Sequence, residues 1–189
     1  MLRPLLLTID VSSVLEGLGS RAETYRFLDT SLQRDLSTCI DEISVRRHDL
    51  SDLPVALTHQ DFSPFNYLID ESSGRVAAVL DWDGAVYQTI GSNLNFVDNF
   101  FGNMTKEGRW EENEDSEESE AVSYERVLGN SAAQGFEGVT RERLEVSKAV
   151  GVLDYYLKWM ARLKDDRTEQ DLKGCLERST FMRGCMESR

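Results

Sequence analysis

"LTHQDFSPFNYLID", residues 57–70, places His59, Asp61 and Asn66 within eight positions, and "VLDWDGA", residues 79–85, follows it closely. The first stretch ends in a β-prone run, "NYLID". The second is entered by another, "RVAAVLDW". Between them "ESSG" has turn composition. The three pieces therefore predict a hairpin. It carries the Asp61–Asn66 loop into one strand and sets Asp81 at the end of its partner, so the two acidic clusters meet in space.

His-x-Asp-x-x-x-x-Asn followed by a strand-end Asp suits one chemistry well. An Asp fixed in a loop can take the proton of an attacking hydroxyl. An Asn carbonyl and an Asp carboxylate are hard oxygen donors of the kind magnesium prefers, and magnesium needs few protein ligands when phosphates and water supply the rest. Base Asp, Asn five residues on, then a metal-binding Asp beyond a hairpin is the arrangement used for phosphoryl transfer in kinases. On this reading Asp61 is the base, and Asn66 and Asp81 hold the metal. His59 supports the loop, and Asp83 is either an outer metal ligand or a solvated turn residue. The bland alternative is a loop whose Asp and Asn only satisfy turn backbone.

"HQDFSPFNYLID…VAAVLDWDGA" resembles the catalytic core of the aminoglycoside phosphotransferase and choline kinase group, whose pattern is roughly H-G-D-x-x-x-x-N, a hairpin, then D-W-D or D-W-E. The resemblance covers residues 55–98. It implies a protein-kinase-like fold, a small-molecule hydroxyl as acceptor, and ATP and Mg2+ as cofactors. It also implies Asp61 as catalytic base and Asn66 and Asp81 as magnesium ligands. Trp82 stands where protein kinases have the apolar residue of D-F-G. Three places depart from the pattern: Gln60 replaces a Gly, Ser63 and Phe65 replace a His and a Gly, and Asn93 or Asn95 stands where an Asp is common. In such families acidic and aromatic residues of later helices contact the substrate, which singles out Asp154 and Trp159. Packing within a helix is the plainer reading of Tyr155, Tyr156 and Trp159.

The family's nucleotide-covering β-lobe, with its Lys and glycine loop, is not legible. Fifty-eight residues precede His59 and read as helix, and the first Lys is Lys106. "GLGSRA", 17–22, is the one glycine-rich segment there, and it reads as a helix interruption. The chain therefore looks like a C-terminal lobe without its partner, a fragment or truncated form. That would leave an apolar face exposed beside the hairpin. The expectation is one α/β (α+β) domain over residues 1–189, mostly helical, with the site on a small β-hairpin.

Around the motif, Leu15, Leu18, Ala22, Tyr25, Leu28, Leu32, Leu36, Ile40 and Ile43 recur at helical spacing. "RRHDLSDLP" reads as a loop ended by Pro54, with His48 at a solvated helix end. "NLNFVDNFFG" has helical character, and Thr140 to Leu163 reads as a strong helix with Leu144, Ala149, Val152, Leu153, Tyr156, Leu157 and Met160 on one face. A shorter helix falls within 164–183. Residues 105–123 read as an acidic, flexible insertion, because seven of the ten residues at 111–120 are acidic.

The chain has 189 residues, 40% hydrophobic and 29% charged, enough for one domain with a real core. A net charge of −13 argues against nucleic-acid and anionic-membrane partners, which need basic patches. It would attract a cationic acceptor. No apolar run approaches membrane-spanning length. Cys39, Cys175 and Cys185 form no CxxC pair and read as reduced thiols of a cytoplasmic protein. Oligomeric state is not legible. Two other functions compete: a non-catalytic, truncated kinase-like remnant or binding module, and a metal-dependent hydrolase with Asp61, Asp81 and Asp83 around a cation.

Overall fold

The computed structural model describes residues 10–24, 30–97, 102–104, 110–112, 116–163, 172–174, 176 and 180–187. It is a mixed α+β structure of helices and small antiparallel sheets. The first helix, α1 (Val11–Thr24), starts where the Asp10 carboxylate accepts the amides of Ser12 and Ser13 at 3.1 and 3.3 Å, an N-cap for otherwise orphaned donors. It runs unbroken through Gly17 and Gly19, so the expected interruption at "GLGSRA" is not there. Helix α2 (Thr30–Val45) follows, then a short α3 (Arg47–Ser51). That turn of helix, which holds His48, lies where a loop was expected. Arg143 explains its position, pairing with Asp49 at 3.5 Å and Asp52 at 3.0 Å.

Strand β1 (Val55–Thr58) pairs antiparallel with β4 (Val86–Thr89), Thr58 opposite Val86. Between them lies the expected hairpin, β2 (Tyr67–Asp70) and β3 (Arg75–Val79), with a register shift between Leu68 and Ile69. Its turn is held by Asp70, whose carboxylate accepts from the Ser72 amide and the Ser72 and Ser73 hydroxyls. The β1–β4 pairing escaped sequence reading because "VYQT" carries little alternation.

Beyond β4 come α4 (Leu94–Val97), β5 (Gly102–Met104) paired with β6 (Trp110–Glu112), α5 (Ser116–Ala133), α6 (Arg141–Leu163) and α7 (Thr180–Glu187). Within the stretch expected as a flexible insertion, 105–123, residues 110–112 are strand and 116–123 open α5; 105–109 and 113–115 lie outside the described residues. Tyr25, Leu28 and Cys175, and the side chains of Trp159 and Met160, also lie outside them.

The core joins α1, α2 and α6. Leu18, Leu36, Ile43, Leu144, Leu153 and Leu157 are almost completely buried, and Met182 of α7 closes one end. These are positions of the two helical stripes read from sequence. Cys39 and Cys185 are buried thiols outside any disulfide, and burial pushes the Cys185 thiol above its ordinary pKa.

Two glycines set how closely α6 approaches the site-bearing segment. A Cβ on Gly151 would lie 1.9 Å from the Ser92 main-chain oxygen, so only glycine lets α6 touch the chain between β4 and α4. Gly91 makes the turn beneath it with φ +99°. A buried hydroxyl pair, Thr89 Oγ1 and Ser147 Oγ at 2.8 Å, closes the same contact.

The strands themselves are poorly covered. Among the described residues, nine of the eleven exposed large apolar ones lie between Leu57 and Tyr87, including Phe65 (91% exposed), Leu68, Val76 and Trp82. The apolar surface expected beside the hairpin is present among the described residues.

Candidate functional site

The site starts from His59, which is 3% exposed and follows directly on β1. Its Nδ1 accepts the Asp61 amide at 3.1 Å, which leaves Nε2–H to donate to the Leu80 oxygen at 2.7 Å. The ring lies edge-on to Trp82, centroids 5.2 Å apart, and to Phe62 at 6.1 Å. Asn93 Nδ2 donates to the His59 oxygen at 3.2 Å. Asn93, one of the two asparagines near the position where the family pattern has an Asp, thus anchors the loop through its amide.

Asp61 is held from the other side. Asn66, at the end of a 3-10 turn (Pro64–Asn66), donates through Nδ2 to the Asp61 main-chain oxygen at 2.8 Å and to its Oδ2 at 3.2 Å. The Leu80 amide in turn donates to the Asn66 oxygen at 2.7 Å. The loop is therefore tied twice to Leu80, the residue before Asp81. This ties the Asp61–Asn66 loop, across the neck of the hairpin, to the residue that precedes Asp81.

Asp81 has φ +56°, the one non-glycine among the described residues in the left-handed region. A non-glycine residue there stores strain of order 1–3 kcal/mol, and such strain gathers at functional positions. The turn after it is closed by Ala85 N to Trp82 O at 3.1 Å, with Gly84 at φ +81° and Trp82 Nε1 donating to the Val79 oxygen at 3.1 Å. Asp81 and Asp83 are exposed.

A cavity of about 350 Å³ opens here, lined by Gln60, Asp61, Asp83, Gly84, Val86, Tyr155 and Lys158. Asp83 thus faces the same space as the base candidate. Sequence reading missed Lys158, a residue of α6 that reaches back to Gln60, its Nζ 3.1 Å from Gln60 Oε1. Its position one turn after Asp154 was the available signal.

The donor set fits magnesium in kind. The Asn66 amide nitrogen is spent on Asp61, so its carbonyl oxygen is the end left for a cation, and Asp81, exposed and next in chain to the Leu80 whose amide bonds the Asn66 main-chain oxygen, offers a carboxylate. No group of three or more His, Cys, Asp or Glu suited to a metal occurs among the described residues, so the three-carboxylate hydrolase arrangement is not formed. A phosphate loop is also not found in α1, since Gly17 and Gly19 are helical. No described helix is long and apolar enough to cross a membrane.

No curated protein matches the chain. His59, Asp61, Asn66, Asp81 and Asp83 fall within residues 13–97, and it is over these residues that the chain matches the model of the phosphotransferase enzyme family (APH), bearing out the resemblance to aminoglycoside phosphotransferases.

Proposed function

We propose that the chain carries the acceptor-side machinery of a small-molecule phosphotransferase of the aminoglycoside phosphotransferase type, on a scaffold like the C-terminal lobe of a kinase. One observation supports this above the others. The Asn66 amide grips both oxygens of Asp61 that it can reach, while its own main-chain oxygen is bonded to the residue preceding Asp81.

In the reaction, the Asp61 carboxylate accepts the proton of the acceptor hydroxyl as that oxygen forms a bond to the γ-phosphorus of a nucleoside triphosphate. The bond between this phosphorus and the bridging oxygen breaks, and the nucleoside diphosphate leaves. Asp61 then returns its proton to solvent. The Asn66 amide orients the carboxylate, and His59 fixes the loop without exchanging protons with substrate. Asn66 and Asp81 would hold Mg2+, which supplies charge neutralisation at the phosphates. Asp83 serves the cavity wall.

Transfer is tested with Mg2+, ATP and a panel of hydroxylated small molecules, following phosphorylated product by mass and phosphorus NMR. Product that disappears with Asp61→Asn supports the reading. Full turnover by Asp61→Asn would overturn it.

A second reading is a non-catalytic, kinase-like binding module. It is favoured by the exposed apolar strands and by the helical state of the glycine segment. Magnesium-dependent ATP binding at micromolar affinity would exclude it.

A further inference from the structure

A second cavity, of about 280 Å³, is lined by all four residues of β4, Val86–Thr89. It shares two wall residues with the Asp61 cavity, Val86 and Lys158, so the two spaces adjoin. Its apolar wall comes from Val11 and Val14 of α1, Leu50 of α3 and Val150 of α6. Its charged wall comes from Arg21, Asp154 and Lys158.

These three charges form one chain of contacts. Arg21 Nη2 donates to Asp154 Oδ1 at 2.7 Å, and Lys158 Nζ sits 2.5 Å from Asp154 Oδ2. Asp154 is 8% exposed, and its two oxygens are each taken by a cation. Two cations against one carboxylate leave a formal charge of +1 on the cavity wall. Arg21 also keeps an unspent donor, since its Nε is buried without a hydrogen-bond partner among the described residues. The chain of contacts reaches the base loop through Gln60, which accepts from Lys158 and donates to Gln88 Oε1 at 3.3 Å. Gln60 stands where the family pattern has Gly, so the departure supplies a side chain to the wall between the cavities.

We propose that this cavity binds an anionic, partly apolar acceptor. Its carboxylate pairs with Arg21 and Lys158, its apolar body lies along α1 and α6, and its hydroxyl passes the Val86–Lys158 wall to Asp61. An arginine fork suits a carboxylate, and a net positive, half-apolar pocket disfavours an ammonium group. The acidic overall charge suggests a cationic acceptor, but the cavity has the opposite sign. The acceptor role rests on the phosphotransferase reading; the binding itself does not.

The test uses ω-hydroxyhexanoate, with ω-aminohexanol and hexanediol as cationic and neutral counterparts. Binding to the full chain is read by calorimetry and by NMR shifts. The hydroxycarboxylate should bind and the aminoalcohol should not. Arg21→Gln should weaken binding about tenfold, the loss of one charge-assisted hydrogen bond. Gly17→Leu is the fold-preserving control. A Cβ there meets only the Arg21 guanidinium at 3.6 Å, and leucine is the better helix former, so the variant should keep its melting temperature while filling the cavity and abolishing binding. Tighter binding of the aminoalcohol, no binding of the hydroxycarboxylate, or unchanged affinity in both variants would overturn the proposal. Wild type that binds the hydroxycarboxylate without phosphorylating it with Mg2+ and ATP sinks the phosphotransferase reading alone. Transfer to the aminoalcohol in preference sinks only the anionic acceptor.

Discussion

Asn66 Nδ2 donates to both the main-chain oxygen and the carboxylate of Asp61, at 2.8 and 3.2 Å. One amide therefore sets the direction of the proposed base and leaves its own carbonyl for a cation. Asn66→Ala should remove both effects and lower kcat by about 10²-fold or more, within the range for a misplaced general base. Asn66→Asp keeps an oxygen ligand but loses the donor and sets a second carboxylate beside Asp61. It should lose turnover as well, while retaining Mg2+ binding by calorimetry. An Asn66→Asp variant with wild-type kcat would show that the grip on Asp61 is not used.

His59 makes two hydrogen bonds from a nearly fully buried ring and joins the end of β1 to the end of β3. His59→Ala leaves the Leu80 oxygen and the Asp61 amide without these partners and opens a cavity between Trp82 and Phe62. The expected loss is about 2–4 kcal/mol, seen as a lower urea midpoint. His59→Asn tests whether geometry matters beyond volume: it should recover part of that stability and little of any activity.

What the sequence made legible follows the strength of its local signals. The Asp61–Asn66 spacing and the ESSG turn specify their contacts within a few residues of chain, so the hairpin and the meeting of the two clusters could be read directly. The stripes of α1, α2 and α6 were legible for the same reason: 3.6-residue periodicity survives in Leu15, Leu18, Leu36, Leu144 and Leu153. The pairing of β1 with β4 spans some thirty residues, and "VYQT" offers no alternation to announce it. Arg21, Gln60, Asp154 and Lys158 come from three separated segments; the resemblance singled out Asp154 and marked Gln60 as a departure, but Arg21 and Lys158 alone look like ordinary surface residues. Only the packing of α1 and α6 on β4 brings them together.

The hairpin turn carries the clearest pH signature. Hydrogen bonds from the Ser73 and Ser72 hydroxyls and the Ser72 amide hold the Asp70 carboxyl below its ordinary pKa. A depressed folded-state value means that the ionised form is favoured in the hairpin. Its stabilising contribution is present above the unfolded-state pKa and is lost as pH falls through the lower, folded one. An NMR titration of the Asp70 carboxyl should therefore find a midpoint on the acid side of a model aspartate. Ser73→Ala should move it back up. A midpoint at or above that of a free aspartate side chain would contradict the turn geometry.

The uncovered strands should be detectable in solution. Phe65 is 91% exposed, and Leu68, Val76 and Trp82 lie open nearby in the chain. The folded chain should bind a hydrophobic dye such as ANS without denaturant. Phe65→Ser combined with Leu68→Thr should reduce that fluorescence while changing stability by less than about 0.5 kcal/mol, since exposed side chains contribute little to folding. A large loss of stability would mean that these residues are covered in solution.

Gly151 offers the sharpest structural test, because α6 reaches the site only through its missing side chain. An added Cβ would lie 1.9 Å from the Ser92 oxygen and 2.7 Å from its carbonyl carbon, both main-chain atoms that cannot rotate away. In an exposed helix interior, Gly→Ala would stabilise by about 1 kcal/mol through helix propensity. Here overpacking should win, with a net loss of about 2–3 kcal/mol in urea denaturation. The displaced α6 would also carry Asp154, Tyr155 and Lys158 away from Gln60, so binding in both cavities should weaken together. Gly129 of α5, where an added Cβ meets nothing within 4 Å, is the matched control: Gly129→Ala should gain stability. If both alanines stabilise the protein equally, α6 does not approach Ser92 as closely as described.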